Sequence, residues 1–218
     1  MKLVIVGAGG FGREVYHYAG NVAMVTGTHR VLGFADDNPR ALDGFDLPVD
    51  VLGGAGSVGF DAETAFVIAV GDPVVRRRLA TVVAKRGGRL ATLVHPTAYV
   101  ARDARLGAGC VVCPFAFVGT GAAVGANTVL NTYASIGHDA VVGDNCVFSP
   151  YAVVNGAVDL GSDVFLGTHS AVLPRVRVGC GSKISAGAVV HREVPVGALA
   201  AGNPARARVL FAPETEDV

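Results

Sequence analysis

An apolar residue recurs at every sixth position through the second half of the chain. From Val94 to Val196, eighteen consecutive positions of this register are apolar, and a small or β-branched residue follows most of them four positions later. A period of six is neither the 3.6 of an α-helix nor the 2.0 of a simple strand, and it is typical of a hexapeptide-repeat parallel β-helix. Three hexads make one triangular coil, so we expect residues 93–203 to form about six coils. Residues 18 apart should then lie above one another.

The repeat also explains a long uncharged segment. Residues 106–138 contain no Asp, Glu, Lys or Arg. An uncharged segment of this length is long enough to cross a bilayer. Glycines, Pro114 and several Asn and Thr residues interrupt the segment, so we interpret it as nearly two coils and expect no contact with a membrane. The N-terminus shows no signal-peptide cleavage pattern, and we expect a cytoplasmic protein. Its 18 basic and 18 acidic residues leave no positive surplus for binding nucleic acid.

Residues 1–92 have a different pattern, in which short apolar segments alternate with amphipathic ones. The pattern predicts strands at 2–6, 31–35 and 66–70, and helices at 13–19 and 73–86, the second with its basic residues on the outer side. This order is typical of a small, Rossmann-like parallel α/β sheet. We expect two domains, 1–92 and 93–203, followed by a tail at 204–218 whose end, 213–218, is frayed.

A glycine turn follows the first strand. Gly7, Gly9 and Gly12 satisfy GxGxxG between a strand and a helix, an arrangement that makes an anion site of the helix N-terminus. Asp36 and Asp37 end the next strand. A nicotinamide enzyme is one interpretation, but about 90 residues supply only half of a doubly wound fold. A mononucleotide carrier fits the length better, and either aspartate could instead cap a loop.

The four cysteines do not indicate a metal centre. Cys110 and Cys113 form one CxxC, but a zinc site needs a second such pair or suitably spaced histidines. We expect no metal and interpret the cysteines as ordinary thiols. Cys146 falls in the inward column of small residues, which disfavours covalent catalysis through its sulfur.

Several segments together carry a family resemblance. VIVGAGGFGREV, FADDNP and VIAVGDP, followed by NTYASIGHDAVVGDNCVFSP, GTHSAVLPRV and AAGNPAR, make the chain similar to bacterial sugar acetyltransferases with a left-handed β-helix of hexapeptide repeats. Those enzymes use acetyl-CoA to N-acetylate nucleotide-linked amino sugars or to O-acetylate sialic acid. The resemblance covers nearly the whole chain. It implies a left-handed β-helix and a homotrimer with the active-site groove between adjacent β-helices.

The acyl-transfer chemistry needs a base for the amine proton and donors for the developing oxyanion. His138 is the candidate base, because a neutral imidazole is available near neutral pH and the adjacent Asp139 can orient it. Gly156 is 18 residues further on, where its backbone N–H could approach the thioester oxygen. The resemblance supports these roles and implies that Asn131 contacts the sugar.

The resemblance also implies two further sets of contacts. The nucleotide of the nucleotide-sugar would be held by Gly9, Gly10, Asp36, Asp37, Gly71 and Asp72. The CoA groove would be formed by Gly156, Gly167, Thr168, Ser185, Ala186, Asn203 and Arg206. The chain departs from many relatives at Val147, where they have a second histidine, and at Tyr151, where they have glycine.

The leading hypothesis is therefore an acetyl-CoA-dependent N-acetyltransferase that acts on a nucleotide-linked amino-dideoxy sugar by direct attack in a ternary complex. O-acetylation of sialic acid or a related sugar is one alternative. A non-catalytic binding or assembly module is the other, since hexapeptide repeats can serve structural ends. Tyr133, Tyr151 and His169 are spaced by 18 and should form an outward ladder, either beside the active site or simply exposed to solvent.

Overall fold

The N-terminal part of the chain is a four-stranded sheet flanked by two helices. The computed structural model describes residues 1–211, so the predicted frayed end at 213–218 lies outside the described residues. The strand order is β2-β1-β3-β4 with every pair parallel, which confirms the predicted parallel α/β sheet. The elements are β1 (Lys2–Val6), α1 (Gly10–Thr26), β2 (Arg30–Ala35), β3 (Thr64–Ile68), α2 (Pro73–Lys85) and β4 (Arg89–Leu90).

The two helices cover opposite sides of this sheet. Ile5 of β1 packs with Val15 of α1, whereas Val6 packs with Val83 of α2, because successive side chains of a strand point to opposite sides. Helix α1 continues to Thr26, well beyond its predicted end, and stops at Gly27, which adopts φ 62°. A glycine with positive φ ends a helix at little cost.

The second part is a parallel β-helix, as the six-residue period predicted. The first face contains Leu93–Val94, Val111–Val112, Val129–Leu130, Val147–Phe148, Phe165–Leu166, Lys183–Ile184 and Ala198–Ala201, with Arg206–Val209 added antiparallel at its end. The second face contains Tyr99–Val100, Phe117–Val118, Ser135–Ile136, Val153–Val154, Ala171–Val172 and Val189–Val190. The third face contains Arg105–Leu106, Ala123–Val124, Val141–Val142, Asp159–Leu160 and Arg177–Val178.

Turns between the faces form three edges that run the length of the β-helix. Edge I joins the first face to the second and includes residues 131–134, edge II joins the second to the third and includes 137–140, and edge III joins the third to the first and includes 143–146. Coils are numbered from residue 93, so residues 129–146 form coil 3 and residues 147–164 form coil 4.

Residues 18 apart lie above one another, as predicted, until the last coil. Val129 pairs with both Val111 and Val147, and the inward position beside it, Leu130, is fully buried. At the end of the β-helix, however, Ile184 pairs with Ala200, two residues short of the expected spacing. The last coil is therefore shorter, and the prediction that Val196 faces inward is wrong, since its side chain is 48% exposed.

An aromatic ladder climbs edge I. The rings of Phe115, Tyr133, Tyr151 and His169 stack in series with centroid separations of 5.0, 4.8 and 4.7 Å. These separations match the spacing of neighbouring strands, so the ladder predicted for three of these residues is confirmed and extends to Phe115.

The sheet domain packs along the first face of the β-helix. Val111 and Val129 of that face belong to the same apolar cluster as Val15 of α1. Helix α2 contacts edge III, where Arg76 bonds to Asn127. The prediction that the basic residues of this helix lie on its outer side is wrong for Arg76, which is fully buried. Edge II lies opposite the first face. Among the described residues, no helix is long and apolar enough to cross a membrane.

Candidate active site

A histidine and a carboxylate form an exposed pair on edge II in coil 3. His138 Nδ1 lies 2.8 Å from Asp139 Oδ2, and the two side chains are 66% and 67% exposed. A carboxylate at Nδ1 favours the tautomer with its proton there, which leaves the Nε2 lone pair free to accept a proton. The geometry is therefore that of a general base, His138, whose imidazole is oriented by the carboxylate of Asp139.

Gly156 lies directly above this imidazole. Ala157 donates its N–H to His138 O at 2.8 Å, which fixes the two coils against each other. A Cβ placed on Gly156 would lie 2.6 Å from His138 Cε1 and closer still to Nε2, so only glycine leaves room for the ring. Within residues 1–211, the Gly156 N–H donates to no protein acceptor. Gly156 is itself buried, so its N–H is an unpaired donor beside the ring rather than an exposed one.

Cationic side chains continue up edge II above the histidine. Arg175 lies in coil 5 and Arg192 in coil 6, three coils or about 14 Å above His138. Arg192 and Arg206 line one groove at the end of the β-helix. Glu193 lines the same groove, so the arginines there exceed the carboxylate by one and can attract an anion. No cation is adjacent to His138 in the sequence.

The sheet domain brings together the segments predicted to hold a nucleotide. Gly9 and Gly10 follow β1, Asp36 and Asp37 follow β2, and Gly71 and Asp72 follow β3. The carboxyl ends of parallel strands meet at one edge of a sheet, and with the order β2-β1-β3 the crevice lies beside β1. Gly9 and Gly10 are exposed there at the N-terminus of α1, as an anion site requires.

The aspartates at this crevice also have structural partners. Asp36 Oδ2 accepts from Ala8 N at 2.8 Å, and its Oδ1 accepts from Asn38 N at 2.9 Å. Asp72 caps α2 by accepting from Val75 N at 3.0 Å. Asp36 thus ties the glycine turn to the end of β2, and Asp37, which is exposed, is the freer of the two for a ligand.

The remaining predicted contacts lie on edge I. Asn131 is half-buried in coil 3, and its Oδ1 accepts from Thr132 N at 2.8 Å. Above it on the same edge are the predicted CoA residues Gly167, Thr168, Ser185 and Ala186, with Asn203 in the exposed turn after the last strand of the first face. Within one chain the second face separates all of them from His138.

Two contacts between the domains could not be predicted from the sequence. The burial of Arg76 could not be predicted, because a basic residue in an amphipathic helix is normally solvated. Tyr18 of α1 lies close to Thr132, beside Asn131, and burial raises the pKa of this tyrosine. No local sequence pattern indicates either contact, because each of the two residues meets a partner that is distant along the chain.

The cysteines are placed as inert thiols. Cys110, Cys113 and Cys146 are buried, and Cys180 is exposed. Burial raises the pKa of both Cys113 and Cys146 to about 12, so neither is a thiolate at neutral pH. Within the part of the chain that is described, no three His, Cys, Asp or Glu side chains are grouped to hold a metal ion.

Comparison with known proteins identifies the family. Residues 2–83 match the model of the PglD N-terminal domain, and residues 121–156 match that of the bacterial transferase hexapeptide. The acetyltransferase domain of PglB from Neisseria gonorrhoeae is 31% identical, with a TM-score of 0.86 over 94% of this chain and 98% of that one. The chain belongs to the hexapeptide-repeat sugar acetyltransferases. The resemblance stated from the sequence is thereby confirmed.

Other members of this acetyltransferase family are similar over the same length. A perosamine N-acetyltransferase from Caulobacter crescentus, solved with CoA and GDP-perosamine, is 27% identical, with a TM-score of 0.87 over 95% of this chain and 97% of that one. The PglB domain has also been solved with acetyl coenzyme A. An acyltransferase that uses acetyl-CoA, as predicted, is confirmed for the family.

The curated relatives match only a short part of the repeat. A 2,3,4,5-tetrahydropyridine-2,6-dicarboxylate N-acetyltransferase of Staphylococcus aureus is 46% identical over 43 residues, which is 20% of this chain and 18% of that protein. The chain thus spans well under two thirds of the length of these relatives.

Proposed function

We propose that this protein transfers the acetyl group of acetyl-CoA to the amine of a nucleotide-linked amino-dideoxy sugar. The observation that carries the proposal is the arrangement on edge II, where Asp139 holds Nδ1 of His138 and the ring lies under the free N–H of Gly156. Full-length similarity to a perosamine N-acetyltransferase solved with CoA and GDP-perosamine supports this class of acceptor.

In this mechanism, the sugar amine attacks the thioester carbonyl directly in a ternary complex. His138 accepts the amine proton at Nε2, and Asp139 stabilises the resulting imidazolium. The Gly156 N–H donates to the carbonyl oxygen as negative charge develops there. CoA leaves as the thiol once the proton reaches its sulfur.

The acceptor site is proposed to form between subunits of a homotrimer. The sheet domain covers the first face, whereas His138 lies on the opposite edge of the same β-helix. A nucleotide-sugar held by the crevice of one subunit therefore faces away from that subunit's own base. Association of β-helices would bring edge I of one subunit, with Asn131, beside edge II of the next.

The same association gives a path for CoA. We expect its phosphates to lie near Arg175 and Arg192 on upper edge II, and near Arg206, which shares a groove with Arg192 at the end of the β-helix. The small residues of the neighbouring edge I, including Gly167 and Ser185, would form the other wall. Small side chains let the backbone approach a ligand closely.

The proposal is tested by incubating the protein with acetyl-CoA and GDP-linked or UDP-linked amino-dideoxy sugars, followed by chromatography of CoA and mass analysis of the sugar. We expect CoA release matched by acetylation of the amine. Sugars with a hydroxyl in place of the amine should not react. Absence of acetylation with every amine acceptor would contradict the proposed function.

The base is tested with His138→Asn, which we expect to lower kcat by about 100-fold or more while acetyl-CoA still binds. His17→Asn is the matched control, because His17 is an exposed histidine on α1, distant from edge II. If both variants retain wild-type turnover, His138 is not the base.

A further inference from the structure

Arg76 of α2 is buried, and it has no acidic partner among residues 1–211. Its side chain is fully inaccessible, and its five N–H groups make five hydrogen bonds to amide oxygens. Nη1 donates to Ile68 O and Val70 O at 2.6 and 3.0 Å. Nε and Nη2 donate to Asn127 O at 3.1 and 2.9 Å, and Nη2 also donates to Asn127 Oδ1 at 2.9 Å.

Such a guanidinium is costly as a packing element. Removing a charge from water is unfavourable unless its donors are satisfied, and an apolar side chain of similar volume often serves stability as well. Burial lowers the pKa of Arg76 to about 9, so it stays protonated at neutral pH. A methionine could not replace the directional hydrogen bonds that link these four oxygens.

Those oxygens belong to the two parts of the proposed acceptor site. Ile68 is the last residue of β3, and Val70 follows the strand and leads directly into Gly71 and Asp72 at the nucleotide crevice. Asn127 lies on edge III of coil 2 and donates through Nδ2 to Asn145 Oδ1 of coil 3 at 2.9 Å. Coil 3 is the coil that carries both Asn131 and His138.

The neighbouring arginine extends the contact upward. Arg77 Nη1 lies 3.0 Å from Asp163 Oδ2, and Asp163 is one coil above Asn145 on the same edge. Helix α2 is therefore attached to edge III at coils 2 and 4, with coil 3 between them. The crevice cannot move relative to coil 3 without breaking these contacts.

We propose that Arg76 is a positioning residue for acetyl transfer, which sets where the nucleotide crevice lies relative to coil 3 and its sugar contact, Asn131. The inference rests on the proposed function. Nucleotide and amine belong to one substrate molecule, so a displaced crevice displaces the amine. A misplacement of about 1 Å can lower a rate by about 100-fold.

The test compares two acceptors in Arg76→Met. One is the nucleotide-linked amino sugar, and the other is the methyl glycoside of the same amino sugar, which has no nucleotide to be positioned. We expect kcat for the nucleotide-linked acceptor to fall about 10- to 100-fold. The kcat/KM for the methyl glycoside and the calorimetric Kd values for GDP or UDP and for acetyl-CoA should stay at wild-type values.

A milder pair of variants covers the case in which Arg76→Met does not fold. Asn127→Gly removes the Oδ1 acceptor of Arg76 together with the bond to coil 3, whereas Asn145→Gly, on the same edge, removes only the bond to coil 3. Both asparagines have positive φ, 54° and 58°, which glycine adopts without strain. Asn127→Gly should lower kcat for the nucleotide-linked acceptor selectively and by more than Asn145→Gly does, and equal effects of the two variants would count against a role for Arg76.

Equal losses with both acceptors, or no loss with either, would overturn the positioning role while leaving the proposed function intact. A wild-type protein that acetylates the methyl glycoside as well as it acetylates the nucleotide-linked sugar would overturn the inference too. Failure of the wild type to acetylate any amine acceptor would overturn both proposals.

Discussion

Adding one methyl group at Gly156 tests the geometry of the proposed base directly. In Gly156→Ala, the new Cβ would lie 2.6 Å from His138 Cε1, whereas ordinary contact begins at 3.4 Å, so the ring must move by about 1 Å. The exposed ring can swing into solvent, and we therefore expect little change in the free energy of unfolding. A displacement of this size should lower kcat by about 100-fold, equivalent to about 2.7 kcal/mol in the activation free energy.

The assay for Gly156→Ala is steady-state acetyl transfer together with thermal unfolding. A double-mutant cycle with His138→Asn separates the ring from other effects. If Gly156→Ala acts by displacing the ring, it should cost nothing further in the His138→Asn background. An equal loss in both backgrounds, or wild-type turnover of the single variant, would refute the reasoning.

In Gly137→Ala, by contrast, the new methyl group would clash with backbone atoms instead of a side chain. Its Cβ would lie 2.6 Å from Gly156 N and 2.7 Å from Asn155 C, and neither atom can rotate away. We expect this variant to lower the melting temperature, unlike Gly156→Ala. Similar melting temperatures for the two variants would contradict the distinction.

Three further outcomes are expected. Asp139→Asn should lower kcat about 10- to 100-fold with unchanged KM, because Nδ1 loses its charged partner; unchanged kcat would count against that role. Burial lowers the pKa of His95, so the unfolded state binds the proton more tightly than the folded state does. The free energy of unfolding, measured by denaturant titration, should therefore decrease as pH falls below about 6.5. The decrease should be smaller in His95→Gln. In native protein a thiol reagent should label only the exposed Cys180, and all four cysteines after denaturation; labelling of Cys146 in native protein would contradict its burial.

The repeat could be predicted almost completely because its determinant is local. Each coil needs one apolar residue pointing inward per face, and Leu130 or Phe148 satisfies this need whatever the rest of the chain does. The prediction failed at Val196, where a two-residue shortening of the last coil changes the pairing partner. This shortening cannot be seen in the six-residue apolar repeat, which is still apolar at position 196.

The candidate site was predictable only in part. His138 and Gly156 could be paired from the sequence because residues 18 apart lie above one another in neighbouring coils. The burial of Arg76 could not be predicted, since its acceptors come from β3 and from coil 2. Whether an arginine on a helix meets water or another domain depends on docking, which no periodicity encodes.

The amino-acid sequence by itself determined the β-helix, the parallel sheet and the chemical types of the candidate residues, because these follow from short-range periodicity and from glycine and proline positions. Only the tertiary structure decided that Arg76 of α2 is buried against edge III, with Asn127 as its partner. It also decided that the sheet domain docks on the first face through α1 and α2. The physical reason is that docking depends on surfaces assembled from distant segments, whose complementarity exists only once the chain is folded.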